Sequence, residues 1–300
     1  MVDALVIGES LIDIVETCDS VREYPGGSPA NVALTMGRLG RDVVFETAFG
    51  DDARGERIAD WLTESGVGVV ATRSMRTSTA KARIGSDGSA DYVFDVGWSL
   101  NEDSAPVASV VHTGSIAATL QPGAVQVTER LRQRRAGSSI SFDPNIRPSL
   151  ITDAAAAREQ VRTIAELSDI IKLSDEDLEW LYPQQDARRV AGAWLDLGVA
   201  IVVVTLGRAG SLTFTRNGEL RTPAEQVNVA DTVGAGDTFT GAFLSSLLTA
   251  DLLGSAHRER LREISLDDLE ASLRFASSAA AITVSRPGAD PPWAAELAWA

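Results

Sequence analysis

Apolar residues follow two alternating patterns along the chain: short continuous runs, and longer segments where they recur every third or fourth position. The continuous runs predict buried strands, and the periodic segments predict amphipathic helices. Predicted strands cover residues 4–8, 43–50, 107–112, 139–142, 169–173 and 200–205. Predicted helices cover residues 29–39, about 55–64, 123–134, 153–167, 175–181, 187–197, 237 onward and 275–283. This alternation predicts an α/β fold, in which a parallel sheet carries helices on both faces.

Two further stretches predict a smaller, separate sheet. Residues 9–15 mix polar and apolar side chains, which is typical of a half-exposed strand that leaves the main sheet. Residues 81–96 alternate around the turn-forming segment 85–88, which predicts a hairpin. We expect residues near 11–24 and 80–96 to come together in this second sheet.

Residues 230–243 combine a turn of small residues with the start of a helix. Gly234, Ala235 and Gly236 expose nearly bare backbone, and the first N–H groups of a helix have no partner within it. Such a helix start is suited to binding a phosphate. Asp237 lies at the same helix start, and a carboxylate beside phosphate-binding amides suggests phosphoryl transfer to a hydroxyl. The structural alternative is an aspartate that caps a tight turn.

A second glycine turn precedes the first predicted helix. Gly26 and Gly27 are followed by Ser28, a plausible N-cap, and by Pro29, which suits the first helical position. An ordinary turn, with Asn31 as a first-turn polar residue, is again the structural alternative.

Further polar candidates follow predicted strands, at the sheet edge where parallel sheets bind ligands. They are Asp143, Asn145, Arg147, Ser174, Asp177, Thr205 and Gly207.

The composition narrows the range of partners and chemistries. The 42 acidic and 27 basic residues give a net charge of −15, which disfavours nucleic acid and anionic membranes as partners. The single Cys18 cannot form an internal disulfide and fits a reducing cytoplasm. We expect no signal peptide and no membrane-spanning helix. The two histidines are too few for a histidine-rich metal site, and neither lysine follows a glycine as in a P-loop.

Residues 231–243 resemble the C-terminal signature of the PfkB, or ribokinase-like, family of carbohydrate kinases, and residues 26–40 resemble its N-terminal signature. Residues 112–116, 143–148 and 171–177 are similar to the bacterial fructokinases of that family. The resemblance implies one ribokinase-like domain over residues 1–300, a three-layer sandwich whose small sheet acts as a lid. It also implies phosphoryl transfer from ATP to a sugar, with fructose as the expected acceptor, and a homodimer.

The resemblance assigns roles to particular residues. Asp237 is the expected catalytic base, and the amides of Gly234, Ala235 and Gly236 face the transferred group. The residues expected to hold the sugar are Asp13, Gly26, Gly27, Asn31 and Arg147. The residues expected to bind the nucleotide are Ser174, Thr205, Gly207, Gly210, Gly236 and Ser277.

Two cations are implied by the same resemblance. Asp177 is expected to organise Mg²⁺ through water, although many relatives carry a longer glutamate there. The residues expected to hold K⁺ through backbone oxygens are Asp231, Val233, Thr283, Arg286 and Gly288. The alternatives are a kinase for ribose, 2-keto-3-deoxygluconate or a nucleoside, and a sugar- or nucleotide-binding paralogue without turnover.

Overall fold

The computed structural model describes residues 1–17, 20–84, 90–101 and 105–297, which contain thirteen strands and ten α-helices. The strands are β1 Val2–Ile7, β2 Leu11–Glu16, β3 Val21–Gly26, β4 Val43–Gly50, β5 Val67–Ser74, β6 Thr79–Ile84, β7 Ala90–Asp95, β8 Ala108–Gly114, β9 Ser139–Asp143, β10 Ile170–Ser174, β11 Ile201–Thr205, β12 Ser211–Thr215 and β13 Gly218–Thr222. The helices are α1 Ser28–Arg38, α2 Ala53–Glu64, α3 Ser115–Thr119, α4 Gly123–Arg134, α5 Ala154–Ala165, α6 Asp175–Leu181, α7 Ala187–Asp196, α8 Ala235–Thr249, α9 Arg258–Arg262 and α10 Leu266–Val284.

Nine strands form the main sheet, in the order β13-β12-β11-β10-β9-β8-β1-β4-β5. The seven strands from β11 to β5 are parallel, while β12 and β13 add an antiparallel edge. The central strands are buried on both faces, which is why they appear in the sequence as continuous apolar runs. Ile170 packs in the core that includes Phe243 of α8, and its neighbour Ile171 packs in the core on the opposite face. The predicted α/β fold is confirmed.

The remaining four strands form the small sheet, in the order β3-β2-β6-β7. The chain leaves the main sheet between β1 and β2 at Gly8, where a Cβ atom would collide with the ring of Pro29. Strand β2 pairs antiparallel with β3 and parallel with β6, so residues 11–16 lie outside the main sheet as predicted. Cys18 and the predicted turn at 85–88 lie outside the described residues.

Three strands of the main sheet were not among the predictions. Strand β5 is interrupted by Gly68, and its longest apolar run is the three residues 69–71. Strands β12 and β13 form a hairpin whose two-residue turn is Arg216-Asn217, with Thr215 paired to Gly218. They close one edge of the sheet beyond β11. Within the described residues, no helix is both long and apolar enough to cross a membrane.

Candidate active site

Three neighbouring strands end at the same edge of the main sheet. Asp143, Ser174 and Thr205 are the last residues of β9, β10 and β11, and Ser174 pairs in register with Thr205. The polar candidates that follow predicted strands therefore meet at the carboxyl edge, where parallel α/β sheets bind ligands.

Helices α1 and α8 cross closely above this edge. A Cβ atom at Gly241 would lie 2.8 Å from Cβ of Thr35 and 3.0 Å from the carbonyl oxygen of Val32, so glycine permits the approach. One turn toward each N-terminus, the same crossing brings Asn31 next to Asp237. Two sequence segments about two hundred residues apart are thus joined at one point.

Asp237 is 7% exposed, and its carboxylate receives hydrogen bonds from two residues in the first turn of α1. Its Oδ1 accepts from the Ser28 hydroxyl at 2.7 Å, and its Oδ2 accepts from Asn31 Nδ2 at 2.8 Å. Asn145 Nδ2 approaches Oδ1 at 3.5 Å. Among the described residues, the buried Oδ1 of Asn31 has no hydrogen-bond partner. The site therefore holds a fixed carboxylate beside an open acceptor.

The prediction that Ser28 caps α1 is wrong. The N-cap residue is Gly27, no side chain caps the helix, and Ser28 is already the first helical residue. Its hydroxyl donates to Asp237 instead of accepting from the backbone of α1. The reason is tertiary, because α8 brings a charged acceptor within reach and a charged hydrogen bond is stronger than a neutral one.

The first turn of α8 presents open amides. Its N-cap is Gly234, in the left-handed conformation with φ of 77°, and its first helical hydrogen bond runs from the Thr238 N–H to the Gly234 carbonyl. Within the described chain, the N–H groups of Gly236 and Asp237 donate to no acceptor. A Cβ at Gly234 would lie 2.5 Å from Cβ of Ala289, and one at Gly236 would lie 2.8 Å from Nζ of Lys172. The glycines therefore leave this helix start free of side chains, a geometry suited to an anion.

Asp13 of β2 faces the site from the small sheet. A Cβ atom at Gly26 would collide with its carboxylate, and Gly27 has φ of 110° close against the backbone of Glu9. Burial raises the pKa of Asp13 to about 6; Arg147 opposes this shift and Asp237 adds to it. The predicted sugar residues thus gather around Asp237.

Arg147 is held in place by Asn145. Its Nη1 donates to Oδ1 of Asn145 at 2.6 Å and to the Asn145 carbonyl at 3.1 Å. Asn145 has φ of 36°, a left-handed conformation that asparagine tolerates better than most residues. The turn after β9 thereby aims one amide at Asp237 and one guanidinium toward Asp13.

Of the predicted nucleotide residues, Ser174 and Thr205 end strands at the carboxyl edge, and Gly207 and Gly210 follow Thr205. Ser174 and Asp177 form a capping box at α6, and Asp177 Oδ1 also accepts from the Ile146 N–H at 2.7 Å. Gly207 is exposed with φ of 53°. Gly210 has φ of 91°, and a Cβ there would collide with the backbone of Thr222, so the β11–β12 turn itself requires this glycine. No hydrogen bond in the described ranges joins Ser277 of α10 to these residues.

The two segments predicted to hold a monovalent cation lie side by side. Asp231 Oδ2 accepts from the Gly288 N–H at 2.9 Å, and the Ala230 N–H donates to the Val284 carbonyl at 2.7 Å. Thr283 donates its hydroxyl proton to Thr238 at 2.9 Å. Among the described residues, no group of three or more acidic, histidine or cysteine side chains is placed to hold a metal ion.

Sequence reasoning missed two features of the buried charges near the site: the acid Glu9, and the partner of Asp143. Glu9 Oε2 accepts from the Ala117 N–H at 2.8 Å, and burial raises the pKa of Glu9 to about 7. Lys172 Nζ lies 2.8 Å from Asp143 Oδ2 in a buried ion pair. The buried ion pair could have been predicted from the sequence, because Lys172 lies inside the apolar run 170–173.

The family model described as pfkB family carbohydrate kinase matches residues 1–296. The chain belongs to the PfkB family of carbohydrate kinases. Among its PfkB relatives is a fructokinase of Rhizobium leguminosarum bv. trifolii, 35% identical over 263 residues that cover 83% of this chain and 81% of that protein.

Two solved fructokinases share the fold of this PfkB chain. One is a fructokinase from Xylella fastidiosa with bound ATP, with a TM-score of 0.84, 27% identity, and 96% and 94% of the two chains covered. The other is a double mutant of the Vibrio cholerae O395 fructokinase with fructose, ADP and potassium bound. It has a TM-score of 0.81 and 26% identity, with the same two coverages, 96% and 94%. The predicted ribokinase-like architecture is confirmed.

Proposed function

We propose that this PfkB-family kinase transfers the terminal phosphoryl group of ATP to a hydroxyl of fructose. The observation that carries the proposal is the Asp237 carboxylate, fixed by Ser28 and Asn31 immediately beside the open amides of α8. The first group can accept a proton from a hydroxyl, and the second can hold the charge of a transferred phosphoryl group. The named fructokinase relatives support the choice of fructose.

In the proposed reaction, the sugar hydroxyl oxygen forms a bond to the terminal phosphorus as the bond from that phosphorus to ADP breaks. Asp237 accepts the hydroxyl proton, and the electron pair of the broken bond leaves with ADP. Phosphoryl transfer depends mainly on positioning and on charge stabilisation. The hydrogen bonds from Ser28 and Asn31 support this role because they fix the carboxylate without involving ATP.

The sugar is proposed to lie between the main sheet and the small sheet, which would act as its lid. Asp13, Arg147 and the backbone of Gly26 and Gly27 would hold its hydroxyls. Asn31 supports this position, since its buried Oδ1 is an acceptor that a sugar hydroxyl could satisfy.

We also propose a homodimer in which the small sheets of two chains pair with each other. Sedimentation as a monomer at micromolar concentration would contradict it.

The nucleotide is proposed to lie along the carboxyl edge, over Thr205 and Gly207, with its phosphates toward Gly236 and with Ser174 and Ser277 at its sides. Gly210 would act indirectly, by shaping the turn. Magnesium bound to the phosphates would neutralise charge during transfer. Both oxygens of Asp177 already accept hydrogen bonds, so Asp177 is proposed to reach the metal only through water.

A panel assay tests the acceptor. Purified protein with Mg-ATP is given fructose, ribose, 2-keto-3-deoxygluconate or a nucleoside, and ADP is measured directly by chromatography. We expect the highest kcat/KM with fructose, because a site built to hydrogen-bond particular hydroxyls rejects sugars that lack them. A higher value for another sugar would replace fructose as the acceptor. If no sugar increases ADP formation although ATP and fructose both bind, the protein is a non-catalytic binder.

A further inference from the structure

One buried ion pair lies beneath the active site, and the reaction described above does not use it. Lys172 of β10 and Asp143 of β9 are 6% and 1% exposed, and their Nζ and Oδ2 atoms are 2.8 Å apart. The chain has only one other lysine, Lys81 in the small sheet, which pairs at 3.1 Å with the half-exposed Glu16. Stability does not explain the buried pair, because replacing such pairs by apolar residues is often neutral or stabilising.

The Lys172 ammonium lies directly under the first turn of α8. A Cβ atom built on Gly236 would be only 2.8 Å from Nζ. The backbone that carries the open amides and Asp237 therefore passes over the ammonium charge. Lys172 faces the same side of the sheet as Ile170, whose core cluster also contains Phe239 and Phe243 of α8. The ammonium is therefore adjacent to both parts of the proposed machinery.

The neighbouring charges define what this ammonium can do. Burial acts to lower the pKa of Lys172, but Asp143, Asp237 and Asp177 outweigh it and raise that pKa, so the ammonium stays charged. Burial, together with Lys172, lowers the pKa of His112 to about 3, so the histidine is neutral and adds no second cation.

Asp237 is faced by three of the charged groups in the described chain. Lys172 and Asp143 lie on its sheet side, and Asp13 lies on the side of the small sheet. Of these three groups, Lys172 is the cation. Arg147 is the cation that acts on Asp13. The ammonium thus opposes the repulsion that the other two carboxylates exert on Asp237.

We propose that Lys172, anchored by Asp143, is a positioning residue for phosphoryl transfer. Its charge adds to the positive potential of the amides above it, where the transferred phosphoryl group would lie. Asp143 holds the ammonium at Gly236 and limits its effect. The inference rests on the proposed kinase activity.

The split between kcat and KM tests this role, measured by ADP formation over ranges of fructose and Mg-ATP. In Lys172→Met we expect kcat to fall by about 10- to 100-fold with little change in the KM for fructose, because the charge nearest the open amides is lost and the sugar contacts are not. In Asp143→Asn we expect a smaller loss of kcat, because the ammonium keeps its charge and the amide oxygen can still accept from it. Asp143 can take up a proton when its partner is missing, so Lys172→Met leaves no stranded charge and should fold.

Lys81→Met is the matched control, and its kcat and KM should equal those of the parent protein. Thermal melts accompany each variant, and Lys172→Gln replaces Lys172→Met if the latter melts below the assay temperature. A loss of kcat larger in Lys172→Met than in Asp143→Asn supports the proposal, because damage to the packing around the pair would affect both variants. An unchanged kcat in Lys172→Met, or equal losses in the two variants, overturns it. If the parent protein forms no ADP, the proposed function fails instead.

Discussion

Replacing Asp237 by asparagine removes one negative charge and keeps the shape of the side chain. In the parent protein, the two carboxylate oxygens accept from the Ser28 hydroxyl and from Asn31 Nδ2. The asparagine side chain has one acceptor oxygen and one NH₂ group that only donates, so it cannot accept both hydrogen bonds. Without an adjustment, two NH₂ groups would face each other.

The site contains that adjustment. Oδ1 of Asn31 is buried and has no partner among the described residues, so a half-turn of the Asn31 amide would let it accept from the new NH₂ group. Both hydrogen bonds then survive as neutral ones. A neutral hydrogen bond contributes about 1 kcal/mol less than a charged one, so two bonds give a loss of about 2 kcal/mol. Removing a carboxylate that repels Asp13 and Asp143 offsets part of this loss.

We therefore expect the melting temperature of Asp237→Asn to fall by no more than about 4 °C. Its kcat should fall by about 10²–10⁴-fold, the usual contribution of a positioned general base. ATP affinity, measured by calorimetry, should change little because Asp237 accepts the proton rather than holding the nucleotide. Initial rates of ADP formation at saturating fructose give kcat.

Asp175→Asn is the matched control, since Asp175 is also in the first turn of a helix but is exposed. Its kcat should equal that of the parent. The argument is refuted if Asp237→Asn is stable and turns over like the parent. If the variant instead melts early and loses ATP binding, the role of Asp237 is structural.

Three further predictions follow from the packing, from burial and from the proposed cation site. Gly241→Ala should lower the free energy of unfolding by about 1–3 kcal/mol and lower kcat, because its Cβ would press on Thr35 and displace Asn31 from Asp237. The control Gly192→Ala, in the open interior of α7, should not destabilise the protein. Equal melting temperatures for the two variants would contradict the close crossing. The pKa of Asp13 is about 6 in the folded chain and about 4 when unfolded, so its ionisation costs stability as pH rises from about 4 to 6. Asp13→Asn should gain melting temperature relative to the parent across that window, and a constant difference would contradict this. ADP formation should be faster in potassium than in sodium or tetramethylammonium, and equal rates in all three would remove the cation site.

The sequence alone determined the layer architecture and the centre of the site. Strands covered on both faces must be apolar throughout, so the runs 43–50 and 200–205 identified parallel strands without tertiary information. Likewise, bare backbone before a helix and an acid at its start are local properties, which is why Gly234, Gly236 and Asp237 could be recognised.

Tertiary structure decided which partners the polar groups found. Ser28 satisfies the local rules for a helix cap, yet it donates to Asp237 because α8 crosses α1 at Gly241. Lys172 and Asp143 are 29 residues apart, and they meet only because β9 and β10 are neighbours in the sheet. A side-chain hydrogen bond depends on which groups come within about 3 Å after packing. That distance is set by helix crossings and strand order, which local sequence patterns do not contain.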